Sequence, residues 1–265
     1  MSKGFVILAQ NTVSVNYVKC AEVLALSIKK VMPSANVSLI TNNRTNLNIW
    51  DEVIPLPYGD LCPNSDWKLL NDWQVYDASP YQYTIKLEAD LFMPTDISYW
   101  FNICQQKDIV LCTNIRNFKQ ELSNVKVQRK FITDNNLPNT YNGVTYFNKS
   151  TTASHFFKVV KDIFINWEQY KSILQCNNNE PATTDFVYAL ASHIIGVEKT
   201  TIPNFTAFSM VHMKPFIQEV GSDWTKTLIY EILPNSLRIG TYPQLYPFHY
   251  VEKSFSDKLY EALNE

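Results

Sequence analysis

Glycine is scarce in this chain, with six residues among 265. None falls in the GxGxxG spacing of dinucleotide-binding folds or in the GxxxxGK spacing of a P-loop. Both spacings hold phosphates on backbone N–H groups, so their absence excludes these two classes of nucleotide site. A nucleotide bound here would need another device for its phosphates, and a metal ion is the obvious one.

Cysteine pairs and long apolar runs are also missing. The five cysteines are odd in number and widely spaced, with no CxxC pair, which argues against a disulfide framework or a zinc site. The apolar start at residues 4–9 is too short for a signal peptide, and no run approaches the roughly 20 apolar residues that span a bilayer. We therefore expect a soluble, cytoplasmic protein without a membrane span.

Strong net charge is the third absence, since the chain carries −2 at pH 7. No global basic field indicates nucleic acid or an anionic membrane. The segment from Lys107 to Lys130 departs from this balance, with six bases against two acids. Such a run is either a solvated face or a surface for phosphate groups.

Strand and helix patterns alternate along the first half of the chain. Continuous apolar runs predict strands, and a 3.6-residue apolar period predicts helices. In chain order they are a strand at 4–9, a helix at 17–31, strands at 36–41 and 51–56, a helical segment at 67–76 and a strand at 83–87. This rhythm predicts an α/β fold with a mostly parallel central sheet flanked by helices.

The second half continues the pattern and then changes character. Strands are expected at 108–113 and 140–147, and helices at 154–167 and 185–193. From about residue 200 the apolar pieces are short and broken by prolines. We predict a catalytic domain at 1–217 and an irregular extension, packed on it, at 218–265.

Two acids follow the fourth predicted strand, in the run YTIKLEADLFM. Glu88 and Asp90 stand where the strand leaves the core, and an unpaired charge is costly to bury there. A Mg²⁺ or Mn²⁺ ion would satisfy both, because hard cations prefer carboxylate oxygen. An acid pair that simply faces water is the alternative for so short a motif.

The end of the first strand carries Gln10, Asn11 and Thr12. Ligands of parallel sheets bind at the carboxyl ends of the strands. These three residues are therefore expected to meet the same ligand as the acid pair.

Four stretches together resemble the GT-A fold of glycosyltransferases, and in particular the glycogenin-like and lipopolysaccharide-galactosyltransferase-like enzymes. They are GFVILAQNT at 4–12, Lys68 ahead of a helix, YTIKLEADLFM at 83–93 and VHMKPF at 211–216. The resemblance covers about residues 4–217. It implies metal-dependent transfer of a sugar from a nucleoside-diphosphate sugar, with a UDP-sugar as the expected donor and Mn²⁺ or Mg²⁺ as the metal.

The resemblance also implies roles for individual residues at the donor. Glu88, Asp90 and His212 would bind the metal, and Glu88 could also reach the ribose. Lys214 would add a positive charge on the donor phosphates, Lys68 would be a further donor-binding residue, and Gln10, Asn11 and Thr12 would cradle the nucleoside. The chain departs from the family pattern in two places: Glu88 replaces the usual Asp, and a single residue separates His212 from Lys214.

Two further positions resemble catalytic contacts to the sugar. Asn142 begins an Asn-Gly-Val strand start, and Asp185 stands at a helix start. A turn glycine and a helix cap are the ordinary readings of these patterns. No general base stands out, which favours retention of configuration.

The acceptor stays open. The compact, asparagine-rich, glycine-poor chain resembles sequences from tailed phages, some of which glycosylate hydroxymethylated pyrimidines in DNA. In that case the protein would work in the host cytoplasm and the basic segment would meet DNA phosphates. A lipopolysaccharide or capsule saccharide is the second acceptor class, and a nucleotide-sugar-binding protein without catalysis is a further alternative.

Overall fold

The computed structural model describes residues 2–45, 48–123, 129–175, 180–233 and 236–264. The described strands, in chain order, are β1 (Lys3–Leu8), β2 (Val37–Ile40), β3 (Glu52–Ile54), β4 (Tyr83–Glu88), β5 (Leu91–Phe92), β6 (Ile109–Leu111), β7 (Asn114–Arg116), β8 (Leu122–Ser123), β9 (Val144–Asn148), β10 (Ser209–His212), β11 (Tyr230–Leu233), β12 (Ser236–Ile239), β13 (Tyr242–Pro243) and β14 (Phe248–His249).

The described helices are α1 (Tyr17–Val31), α2 (Val75–Ala78), α3 (Tyr99–Cys104), α4 (Lys130–Asp134), α5 (Thr151–Ile165), α6 (Trp167–Ile173), α7 (Thr184–Ile195), α8 (Val197–Thr200), α9 (Pro215–Gln218), α10 (Trp224–Thr227) and α11 (Phe255–Asn264), with a 3₁₀ helix at Lys68–Gln74. Within the described ranges, no helix is long and apolar enough to cross a membrane.

The main sheet has six strands in the order β3-β2-β1-β4-β9-β6. All pairings are parallel except those of β9, which runs antiparallel to both β4 and β6. Phe5 and Ile7 of β1 pack on the α1 side, and Val6 packs on the side of α5 and α7. Both faces are covered, which is why the central strands are continuous apolar runs. The predicted α/β class with a mostly parallel sheet is confirmed.

Local capping explains where the long helices begin. Asn16 accepts a hydrogen bond from the backbone N–H of Lys19, and α1 has the bounds that its apolar period predicts. Helix α5 begins three residues earlier than expected, because Ser150 caps it by accepting from the N–H of Ala153. The helical segment expected at 67–76 is a 3₁₀ helix followed by the single turn α2.

A second sheet places the chain's C-terminal part against its middle. Its order is β5-β14-β10-β7-β8, with β14 parallel to β10 and antiparallel to β5. Residues after 217 therefore supply a strand to this sheet, as well as the antiparallel meander β11-β12-β13 and helix α11, which packs on α1. The extension is thus more regular than the sequence predicts, because strands of two to four residues are too short to show a period.

Candidate functional site

A cavity of about 680 Å³ opens at the carboxyl ends of β1 and β4. It is bounded by the residues that follow these two strands, by the start of α7, and by β10, β14 and the segment after each. This is the edge where parallel sheets bind ligands. The predicted site residues on its wall are Gln10, Thr12, Lys68, Glu88, Asp90, Asp185, His212 and Lys214.

The acid pair lies at the centre of this wall, in two different environments. The Glu88 side chain is 29% exposed and faces the cavity, whereas that of Asp90 is 8% exposed. One oxygen of Asp90, Oδ2, lies 2.7 Å from Nε2 of His249 and also accepts from Nζ of Lys253. Burial opposes ionisation, but these two partners hold the pKa of Asp90 far below its usual range.

Glu88 is less well compensated than Asp90. Its Oε2 lies 3.9 Å from Nε2 of His249. Burial raises the pKa of Glu88, although His249 and Lys86 act in the opposite direction. A carboxylate aimed into a cavity with so little compensation is suited to binding a cation.

His249 completes a cluster that could hold a metal ion. The ligand atoms of Glu88, Asp90 and His249 all lie within 4.8 Å of one another. Two carboxylates and an imidazole fit Mn²⁺ and Mg²⁺ by their chemistry. The sequence predicts His212, and not His249, as the third metal ligand.

His212 lies next to this cluster rather than in it. Its ring stacks on that of His249 with centroids 4.4 Å apart, and its Nδ1 is buried with no hydrogen-bond partner among the described residues. Burial, followed by the proximity of His249 and Lys214, holds the pKa of His212 well below its usual range, so the ring is neutral. His212 and the acid pair thus line the same cavity, and a second imidazole, that of His249, lies beside Asp90.

Asn11 is not on the cavity wall, unlike its neighbours Gln10 and Thr12. Its side-chain oxygen accepts from the N–H of Val18 at 2.9 Å, and its own N–H donates to Asn43. The side chain of Asn11 thus has a role at the start of α1, and its expected contact with the nucleoside stays a prediction.

The two lysines expected at the donor differ in what they contact. Nζ of Lys68 donates to Asp60 at 2.8 Å and to the carbonyls of Cys62 and Pro63 at 2.7 and 2.9 Å. Hydrogen bonds from Lys68 and Asn71, which outweigh the effect of burial, lower the pKa of Asp60 to about 2. All three ammonium protons of Lys68 are therefore used within its own loop.

Lys214, by contrast, is available to a ligand. It is half-buried on the cavity wall at the residue preceding α9, and its ammonium makes no hydrogen bond or ion pair within the described part of the chain. A fixed positive charge beside the acid pair is suited to an anion that arrives with a cation.

Asp185 is held rigidly at the first turn of α7. Its Oδ2 pairs with Arg129 at 3.1 Å, and its Oδ1 accepts the backbone N–H of Asn142 at 2.7 Å. Thr183 caps the helix by accepting from the N–H of Phe186. The carboxylate on the cavity wall is thus oriented by groups from two other segments.

Asn142 lies behind that wall, 1% exposed and outside the cavity lining. Its Nδ2 donates to Asp72 at 3.1 Å and its Oδ1 accepts from Thr145 at 2.9 Å. Its side-chain amide is thus used in the interior, and the expected contact of Asn142 with the sugar stays a prediction. Its backbone N–H instead positions Asp185.

Comparisons with known proteins bear on the fold. No protein-family model matches the sequence, and no curated protein matches it. The chain is similar to the solved structure of galactosyltransferase LgtC in complex with donor and acceptor sugar analogs, with a TM-score of 0.52, 12% identity, and 75% of this chain and 72% of that chain covered. The fold is GT-A. Mouse xyloside xylosyltransferase 1 aligns over 76% of this chain and 84% of its own, with 12% identity and a TM-score of 0.48.

Several residues of this GT-A cavity escaped the sequence prediction. Lys86 and Asp72 form a buried ion pair at 2.7 Å on its wall, and Tyr188 donates to Asp72 at 2.5 Å. A lysine inside the apolar strand YTIKLE was the available signal for this pair. His249 and Lys253 had none, because they reach Asp90 only when β14 pairs with β5.

Proposed function

We propose that this protein is a metal-dependent glycosyltransferase that transfers a sugar from a nucleoside-diphosphate sugar, expected to be a UDP-sugar, to a hydroxyl acceptor. The convergence of Glu88, Asp90 and His249 on one cavity of a GT-A fold carries the proposal. Without a cation, two carboxylates beside a cavity would repel a diphosphate. With a cation bound between them, the carboxylates would hold positive charge at the cavity that can bind a diphosphate.

The donor site combines the cluster with residues on either side. Glu88, Asp90 and His249 would hold Mn²⁺ or Mg²⁺, which when bound supplies positive charge beside the diphosphate leaving group. Lys214 adds a fixed positive charge on the phosphates. Gln10 and Thr12 contact the nucleoside, and Lys68 contributes by fixing residues 60–67 at the cavity.

Asp185 is the residue we propose to act at the sugar. Arg129 and the N–H of Asn142 hold its two oxygens in place. A carboxylate oriented in this way can accept a hydrogen bond from a sugar hydroxyl or stabilise positive charge at the anomeric carbon. The acceptor proton is then left to the departing diphosphate. These roles, in which the leaving diphosphate takes the acceptor proton, are consistent with retention of configuration. Asn142 is then a positioning residue for Asp185.

A saccharide hydroxyl is the acceptor that we propose first. The hydroxymethylated pyrimidine of phage DNA, expected from the sequence, relies on the basic segment 107–130. In the structure, Nζ of Lys107 donates to the carbonyl of Glu198 and Arg116 donates to Gln120, Thr206 and Ser209. These bases are used internally, and Lys126 lies outside the described residues.

A panel of nucleotide sugars, screened by thermal shift with and without Mn²⁺, tests the donor site. A ligand held through the metal should stabilise the protein only when both are present, by about 2.7 kcal/mol at 100 times its Kd. Release of UDP from the stabilising donor then tests catalysis. Saturation without release would instead identify a nucleotide-sugar-binding protein.

Asp90→Ala should abolish the joint stabilisation by donor and Mn²⁺. The matched control is Asp257→Ala, which removes an exposed acid paired with Lys19 outside the cavity. Donor turnover that survives Asp90→Ala would show that the site is wrongly assigned.

A further inference from the structure

Lys253 has no role in the proposed donor site, although it contacts one of the proposed metal ligands. It lies on the cavity wall in the segment between β14 and α11, and its Nζ contacts Oδ2 of Asp90. The same oxygen is 2.7 Å from Nε2 of His249. The ammonium therefore sits at one of the two oxygens with which Asp90 could bind a cation.

Several contacts fix this segment against the acid pair. His249 is opposite Leu91 in the antiparallel pair of β14 and β5, and the N–H of Tyr250 donates to the carbonyl of Asp90 at 3.3 Å. A lysine ammonium is charged at neutral pH, and the Lys253 side chain is 28% exposed beside Asp90. Lys253 is thus a permanent positive charge held beside the cluster by the fold.

We propose that Lys253 is the resident counter-cation of the Glu88, Asp90 and His249 cluster, holding Asp90 until a diphosphate is present and then pairing with its phosphates. The proposal rests on the proposed function. It makes Lys253 a further binding residue for the donor and couples metal binding to nucleotide binding.

The charges at the site give the physical reason. Within the cluster itself, Glu88, Asp90 and the Lys253 ammonium together carry a net charge of about −1, counting each of the three as a unit charge. A divalent cation alone would turn this into +1, with Lys253 and the ion competing for one oxygen. Adding a diphosphate removes the excess positive charge and gives Lys253 a new partner.

Manganese titration by calorimetry on the full chain, without nucleotide, tests this directly. Lys253→Met should bind Mn²⁺ about tenfold or more tightly than the unsubstituted protein, since like-charge repulsion is removed at a poorly solvated site. Lys253→Arg keeps the charge and should keep the weak binding. Lys226→Met, which removes an exposed lysine paired with Asp223, should change nothing.

The coupling with UDP gives a second readout. The factor by which UDP raises Mn²⁺ affinity should be smaller in Lys253→Met, because this variant has lost a charge that follows the phosphates. If Lys253→Met does not fold, Lys253→Gln replaces it in both titrations.

Unchanged or weaker Mn²⁺ binding by the neutral variants would overturn the proposal and leave Lys253 as a structural ion pair. UDP release by the unsubstituted protein is measured in parallel. If that release occurs while Lys253→Met binds Mn²⁺ normally, the inference fails and the proposed function stands. If no donor and no Mn²⁺ bind at all, the proposed function fails first.

Discussion

Two stacked imidazoles flank the acid pair, and their geometry assigns them different tasks. His249 is at hydrogen-bonding distance from Asp90, whereas His212 contacts the cluster through the ring of His249. A neutral His212 with an unpartnered Nδ1 can still orient a ligand or complete a coordination shell. The two imidazoles therefore differ in how directly each could bind the metal.

We expect His249→Ala to weaken Mn²⁺ binding in the presence of UDP by about tenfold or more, because it removes one of three ligands. His212→Ala should weaken it less, since its ring lies outside the cluster. Calorimetric Mn²⁺ titration of both variants, after their thermal unfolding has been compared, is the measurement. An equal or larger effect of His212→Ala would favour the ligand that the sequence motif predicts.

Some residues of the cavity are recognisable from their local sequence, whereas others reach it only through tertiary contacts. Glu88 and Asp90 are recognisable because their meaning is local: a buried strand ends and two acids follow. His249, Lys253 and Arg129 reach the cavity from segments far along the chain. Only tertiary contacts bring His249 and Lys253 to Asp90 and Arg129 to Asp185, so nothing in their local sequence indicates these roles.

At the scale of elements, the loop at 60–67 is fastened to the 3₁₀ helix by polar side chains. Asp60 accepts from Lys68 and Asn71, and Asn71 accepts from the N–H of Leu61 at 2.9 Å. The loop carries Trp67, which is 60% exposed and lines the cavity. Its order therefore depends on the charge of Asp60.

The pKa of Asp60 predicts how this loop responds to acid. It is about 2 in the folded protein against 3.8 ordinarily, so its contribution is complete above the ordinary value and is lost as pH falls through the folded one. Hydrogen exchange at the amides of Leu61 and Cys62, corrected for the intrinsic pH effect, should stay constant from about pH 5 to 8 and rise below about pH 4.

Asp60→Asn should reproduce the loosened loop at neutral pH, because the amide cannot pair with Lys68 as an ion. Asp77→Asn is the control, because the carboxylate of Asp77 accepts only from Tyr58 among the residues that the structure describes, and Tyr58 is outside the loop. Unchanged exchange in Asp60→Asn would mean that backbone contacts alone hold the loop.

The sequence predicts helices and strands correctly where an apolar pattern repeats over many residues. It misses elements that are too short for a pattern to repeat. Helix α1 matches its expected bounds because its residues repeat an apolar pattern over four turns and end in a proline-containing stretch. Strand β14 has two residues and no period at all. The meander after residue 229 was missed for the same reason, as its strands are short and half exposed.

At the scale of the whole molecule, the distribution of charge distinguishes what the two proposed acceptor classes would require. The chain carries −2, and the described bases of the segment 107–130 include several that are bound internally. A duplex binds proteins mainly through phosphate contacts, and each contact makes binding weaker as salt rises. A neutral saccharide lacks this dependence.

We therefore expect transfer to a saccharide to change little between about 50 and 200 mM salt, whereas transfer to a duplex would fall steeply over that range. Initial rates with one stabilising donor, a neutral saccharide and a duplex containing hydroxymethylated pyrimidine make the comparison, with UDP release in the absence of acceptor as the control for salt effects on the donor site. Faster transfer to the duplex at low salt, lost on raising the salt, would reverse the order of acceptors proposed above. It would also assign the surface near Lys119 and Lys130, both exposed, to DNA phosphates.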